Sequence, residues 1–403
     1  MLGGCAQPPR LPPESAALPA RVELREVPFF PQEAYQCGPA ALATMLGQRG
    51  LALTPGQLKD EVFIPGREGS LQLEMVAAAR RHGMLVYPLQ GGLESVLEEV
   101  AAGNPVLVLQ NQAFSWWPRW HFAVVVGFDR ERRELVLRSG ITRRWVTDFT
   151  SFESTWKRSG RWAVLTLPGD RLPATAAAVP WLKAASDSEE TGHPKVARRA
   201  YEEAVRRWPE DAFAWFALGN SRYAAGDSAA AEQAMLTSVE RRVDFAAGWF
   251  NLSQLLAERG CAAPARQAQA CARALQPGEA RFAAALPQLA AGRRTRGSVR
   301  RAAGLSRWRP APLRRPSRRL SEPRSSETAL YLGGPHSGAE HGQRQADFAP
   351  HPPATGQGRC GGQAPGACGG GHAQAACARR GAERETGRRT FGHGADRQRA
   401  AGD

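Results

Sequence analysis

VPFFPQEAYQCGPAALATML, residues 27–46, leads a loop into a helix with a cysteine at the junction. Leu42, Met45 and Leu46 fall at i, i+3 and i+4, the spacing of one apolar helical face, and predict a helix over about 38–46. Pro39 suits its first turn, where a missing N–H leaves no intrahelical bond unmade. Cys37 therefore starts the helix. Free backbone N–H groups and the helix dipole stabilise a thiolate there, so its pKa is expected to fall. The ordinary alternative is a buried apolar cysteine, but Gly38-Pro39 argues for a tight entry turn rather than mid-helix packing.

Working outward, residues 22–170 read as one α+β domain. Helices are predicted over 71–82, with Ser70 placed to cap and Gly83 to end it, and over 93–102. Strands follow at 105–110 (PVLVLQ), 121–128 (HFAVVVGF), 134–138 (ELVLR) and 162–167 (WAVLTL), with a short turn at 129–133. Together they read as an antiparallel meander. Helices followed by a run of strands indicate an α+β fold.

Residues 171–188 read as a linker, and 189–283 as helical with a period of 34. Trp215 aligns with Trp249, Phe216 with Phe250, Leu218 with Leu252 and Gly226 with Gly260. Ala200, Ala234 and Ala268 form another column. That is the pattern of tetratricopeptide repeats: Trp and Leu on the first helix, Gly at the turn, Ala where the second helix packs closely. Two units are clear, with the second helix of an earlier one at about 196–207. So few repeats are marginal, so the solenoid is expected to continue past 283.

The net charge of +15 belongs mostly to the end of the chain. Residues 291–403 hold 21 Arg, no Lys and 8 acids, which leaves +2 for the rest and gives no reason to expect a nucleic-acid partner. Residues 284–403 are read as a low-complexity basic tail, either disordered or, as we favour, the product of a shifted reading frame. Cys360, Cys368 and Cys377, with His351 and His372, match no compact zinc spacing, and neither metal nor cofactor is expected. Residues 1–21 form a leader in which Leu2-Gly3-Gly4-Cys5 resembles the end of a bacterial lipoprotein signal. Lipid on Cys5, with a Pro-rich tether after it, would hold the protein at a membrane of the cell envelope; the alternative is a cytoplasmic protein with a ragged start.

Few residues could do thiol chemistry. Before position 193 there are two histidines, His82 and His121. His82 precedes Gly83 at a helix C-terminus, where the dipole explains it, so His121 is the better base. An oxyanion donor is also needed, and Gln32 and Gln36 both precede Cys37; spacing does not choose between them. Candidates to orient the imidazole are Asp129, Ser139 and Asp148, each of which could equally be an ordinary turn or strand-end residue. Phe114, Trp116, Trp117 and Trp120 crowd the loop before His121, where they would either wall a substrate groove, hold a lipid surface or pack over the sheet end.

The 27–46 run together with HFAVVVGFD, from His121, resembles the bacterial C39-like, papain-fold cysteine peptidases. The following repeats are similar to the subgroup read as C39-like lipoproteins. The resemblance implies Cys37 as nucleophile, His121 as general base and Gln32 as oxyanion donor. The Gln32–Cys37 gap is five where the family more often has about six. At the end of the next strand, where the family commonly has Asp-Pro, Ser139-Gly140 stands; Ser139 becomes the third residue. A hydroxyl can accept a bond from imidazole but cannot stabilise imidazolium as a carboxylate does. The expected function is therefore thiol-dependent hydrolysis of a peptide or protein substrate in the bacterial envelope. The alternative is an inactive scaffold that binds protein partners through its repeats.

Overall fold

A computed structural model of the chain describes residues 17–32, 36–67 and 69–286. Cys5 and the tail residues His351, Cys360, Cys368, His372 and Cys377 lie outside them, as does any continuation of the repeats.

The first part is α+β. Seven strands form one antiparallel sheet: β1 (Arg21–Glu23), β2 (Leu85–Pro88), β3 (Val106–Asn111), β4 (Trp120–Asp129), β5 (Glu134–Ser139), β6 (Thr142–Asp148) and β7 (Ala163–Leu167). Their order is β2-β7-β3-β4-β5-β6, and β1 pairs with the far end of β4. The expected meander holds from β3 to β5 and continues into β6, which the sequence reading missed because its exposed, Arg-rich pattern lacks apolar alternation. The 163–167 strand departs from it: β7 returns to the other side of β3 and joins it to β2.

Alternation along the strands gives the sheet two covered faces. On one, Phe122, Val124 and Val126 of β4 meet α1 (Cys37–Gly47), α2 (Pro55–Val62) and α3 (Gln72–Arg81). Helix α1 is central and buried from Gly38 to Leu46, which its small, apolar sequence permits; the one buried hydroxyl, Thr44, donates to Ala40 O at 3.0 Å. Ser70 does not cap α3. Leu71 is the N-cap and makes no side-chain cap bond, while the Ser70 hydroxyl is buried against Gly38. A Cβ on Gly38 would sit 2.2 Å from Ser70 Oγ, so close approach of α1 and the 70–71 turn requires glycine after the cysteine.

The opposite face, through Ala123, Val125, Leu135 and Leu137, packs on α4 (Leu93–Ala101) and α5 (Phe149–Lys157), and the same core runs on into the helical region. That region holds three antiparallel helix pairs: α6 (Ala178–Glu190) with α7 (Pro194–Arg207), α8 (Ala212–Ala224) with α9 (Ser228–Arg241), and α10 (Ala246–Glu258) with α11 (Ala262–Leu275). Much of the stretch read as a linker is thus α6. Its Pro180 sits in the first turn, where it costs no bond, and its Trp181 is fully buried. Trp181 lies 34 residues before Trp215, and Gly192 lies 34 before Gly226; extending the period one step back would have found the helix. Gly192, Gly226 and Gly260 all have φ between 83° and 91°, which explains glycine at each turn.

The two regions are tied by polar contacts as well. Tyr87 packs on Trp181, and the Arg80 guanidinium meets Asp187 at 2.8 Å. The buried Glu99 carboxylate accepts from Asn104 Nδ2, the Ala174 and Thr175 amides and the Thr175 hydroxyl, pinning the connection to α4.

Candidate active site

Three segments converge at one end of the sheet. Cys37 is the first residue of α1, after the N-cap Gln36. His121 is the second residue of β4, and Ser139 the last of β5, where the β4–β5 register brings the two strand ends together. His121 Nε2 lies 2.8 Å from Ser139 Oγ, and the Gln32 backbone N–H donates to Gly140 O at 3.1 Å. Gln32, Cys37 and Ser139 line one cleft, with Phe29, Phe30 and Phe122 as apolar walls. Its enclosed space is about 10 Å³, room for one water.

The Cys37 sulfur receives the backbone amide of Phe122, the residue after His121. Among the described residues no hydrogen bond joins that sulfur directly to the imidazole. With Nε2 engaged by Ser139, Nδ1 is the ring nitrogen left for proton exchange.

The expected fall in the Cys37 pKa does not occur. Burial pushes the thiol up, and the Phe122, Gly38 and Cys37 amides offset only part of that. The helix-terminus argument treats a thiolate near solvent; here removal of water from the sulfur outweighs the N–H groups. His121 moves the other way, down to about 4, first because it is buried and second because the Arg119 cation lies nearby. Both groups are therefore neutral at pH 7.

The remaining candidates separate cleanly. Asp129 ends β4, eight residues from His121, or roughly 25 Å along the strand. Asp148 pairs in register with Glu134 at that same far end, and its carboxylate caps α5 by accepting from the Ser151 amide. Neither reaches the imidazole. His82 caps α3 and bonds Glu61 at 2.9 Å, a structural role. Gln36 sits at the N-cap position of α1 without a side-chain capping bond, whereas the Gln32 backbone is tied to the turn after Ser139 and Gln32 lines the cleft.

Arg138 escaped the sequence reading. It is buried beside Ser139 and lines the cleft, donating to the carbonyls of Leu24, Val27 and Arg143. It thereby fixes the start of the loop that delivers Gln32. An arginine inside the apolar alternation of ELVLRS is the signal that could have found it. Among the described residues no group of three or more His, Cys, Asp or Glu is arranged to hold a metal ion.

Residues 24–164 match the Peptidase_C39 like family, and residues 178–221 match the tetratricopeptide repeat. No curated protein matches the chain. Among solved structures, one described as a putative C39-like peptidase from Bacillus anthracis is 18% identical, with 36% of this chain and 97% of that one covered and a TM-score of 0.30. The peptidase domain of Streptococcus ComA, a bifunctional ABC transporter of a quorum-sensing pathway, is 17% identical over 35% of this chain and 99% of that one, with a TM-score of 0.29. The chain thus carries a C39-like peptidase domain followed by a tetratricopeptide-repeat region.

Proposed function

We propose that the peptidase-like domain is a thiol-dependent hydrolase of a peptide or related amide bond. One observation carries this reading: Cys37, Gln32 and Ser139 share a cleft, with His121 bonded to Ser139 at the same strand ends. His121 Nδ1 takes the thiol proton as sulfur attacks the carbonyl carbon. The oxyanion is held by the Gln32 side chain and the Cys37 N–H at the open end of α1. The imidazolium then protonates the leaving amine, and water hydrolyses the thioester. A neutral pair makes this a general-base mechanism rather than one that starts from a preformed ion pair. The low proton affinity of His121, left without a carboxylate, makes it slow.

A peptidyl chloromethyl ketone tests the reading. Alkylation should fall on Cys37, and His121→Ala should slow it strongly at pH 7 and progressively less as pH rises and the thiolate fraction grows without a base. Equal rates for the two proteins at pH 7 would remove His121 from the reaction.

A second reading, an inactive scaffold, draws support from Ser139 in the position of a carboxylate and from the lack, among the described residues, of a hydrogen bond between the Cys37 sulfur and the imidazole. The repeat region supports protein–protein interaction. Under this reading Cys37→Ala leaves partner capture unchanged while substitutions on the repeats abolish it. We place the protein in the bacterial envelope, held by lipid on Cys5, on the strength of Leu2-Gly3-Gly4-Cys5 and the Pro-rich segment after it. Among the described residues no helix is long and apolar enough to cross a membrane. Palmitate labelling that requires Cys5, in cells expressing the gene with its upstream sequence, checks this; absence of label on the intact protein counts against it.

A further inference from the structure

The loop before β4 is not packed over the sheet. Phe114, Trp116 and Trp117 are 66%, 78% and 71% exposed, and Trp120 is half exposed. An isolated bridge between Phe114 and Trp117 tightens the loop, and Phe114 stacks on Trp116 with ring centroids 5.5 Å apart. The aromatics are therefore held out in solvent by local structure rather than left there by a loose chain. The antiparallel register brings a second projection to the same sheet end. The β5–β6 turn carries Ile141, 80% exposed, and β6 continues with Arg143, Arg144 and the half-exposed Trp145. Arg119 adds a further exposed cation beside Trp120. Arg144 is paired with Glu23, but among the described residues neither Arg119 nor Arg143 has an acidic partner.

A peptide site is concave and lined on several sides. This surface is the reverse: two neighbouring turns project Trp, Phe and Ile outward, with guanidinium groups around them. Tryptophan is favoured at the lipid headgroup level, and each basic side chain near an anionic leaflet adds attraction. We propose that this end of the sheet docks on an anionic bilayer surface, the aromatics of the 112–119 loop and Ile141 entering the interface while Arg119 and Arg143 meet headgroup phosphates. The occupant is lipid because the apolar groups project and the surrounding free charges are positive. His121 and Ser139 lie at the same end, so docking holds the cleft at the membrane. The inference rests on exposure and charge and stands whether or not Cys37 is catalytic.

The test uses the full chain, so that the basic tail contributes equally to every variant. Vesicles of phosphatidylglycerol and phosphatidylethanolamine are compared with vesicles of phosphatidylcholine. Brominated acyl chains should quench part of the tryptophan emission. In the double variant W116S/W117S that quenching should disappear, and partitioning should fall about tenfold or more. R119Q/R143Q should weaken binding to the anionic vesicles and leave binding to phosphatidylcholine unchanged. Both variants alter exposed residues, and an unchanged thermal midpoint confirms the fold. Unaltered partitioning of W116S/W117S with no bromine quenching of the parent protein would overturn the proposal. So would retention of vesicle binding combined with loss of peptide turnover, which would assign the patch to a peptide.

Discussion

Replacing Ser139 by Asp puts a carboxylate where a hydroxyl now lies 2.8 Å from His121 Nε2. His121 stands at about 4 because it is buried and faces the Arg119 charge with no anion to offset either. An opposite charge at hydrogen-bond distance shifts a neighbouring group by about 1–3 pKa units, so His121 in S139D should titrate at about 5–7. At about 1.4 kcal/mol per unit, imidazolium gains roughly 1.5–4 kcal/mol. The sign follows: a stabilised imidazolium favours thiolate on Cys37, and alkylation at pH 6–7 should speed up by about tenfold or more. The assays are a titration of the His121 ring by NMR and the rate of Cys37 modification by iodoacetamide against pH. S139A should leave the ring as depressed as in the parent and cost roughly 1 kcal/mol for the lost bond. A His121 titration unmoved in S139D would show that the missing carboxylate does not depress the ring, and a rise in its pKa with no gain in thiol reactivity would show that His121 does not govern Cys37.

His121 also sets a pH dependence of stability. Its folded pKa, about 4, lies below the unfolded value near 6.5. The unfolded chain therefore takes up the proton first, and up to about 3 kcal/mol present above pH 6.5 is lost as pH falls towards 4; urea midpoints of the parent and H121Q at pH 7 and 4.5 should diverge accordingly. Gly38→Ala forces a Cβ within 2.2 Å of Ser70 Oγ and should destabilise by about 1–3 kcal/mol, with substantial recovery in G38A/S70G. Trp181→Ala opens a cavity in the core shared by the sheet and the first repeat and should cost about 3–5 kcal/mol in chemical denaturation. Glu99→Ala leaves Asn104 and the Ala174 and Thr175 amides without their acceptor; those amides should exchange with deuterium much faster than in the parent.

The helices and strands with strong apolar periodicity were legible without coordinates: α1, α3, α4 and β3 to β5 lie close to the expected spans, because burial of one face dictates their pattern. Helices α2 and α5 escaped although Thr54 and Gln57 form a capping box before the one and Phe149, Phe152 and Trp156 recur at i, i+3 and i+7 along the other; the remaining missed elements lack a local signal. Strand β6 is an exposed edge, and β2 is too short to display a period. Helix α6 was hidden by an Ala-rich sequence that reads as a spacer until Trp181 is aligned with Trp215. The place of β7 was not legible, because strand order depends on which edge a returning strand reaches, and no local residue encodes that. Spacing left Gln32 and Gln36, and Asp129, Ser139 and Asp148, as open alternatives that only the family resemblance narrowed, while the choice of Cys37 and His121 followed from the scarcity of cysteine and histidine in the domain. The charge state of the site did not: desolvation is a property of the packed surroundings, so a cysteine at a helix N-terminus looks activated in the sequence and is held as a thiol in the fold.

Thiol-dependent hydrolysis is checked by incubating the purified full chain with a diverse pool of unmodified peptides at neutral pH and identifying new termini by mass spectrometry. Cleavage should be slow and selective, absent with C37A, about 10²–10⁴-fold lower with H121A and higher with S139D. No new termini from the parent protein under conditions where Cys37 is reduced, or products that persist in C37A, would contradict it.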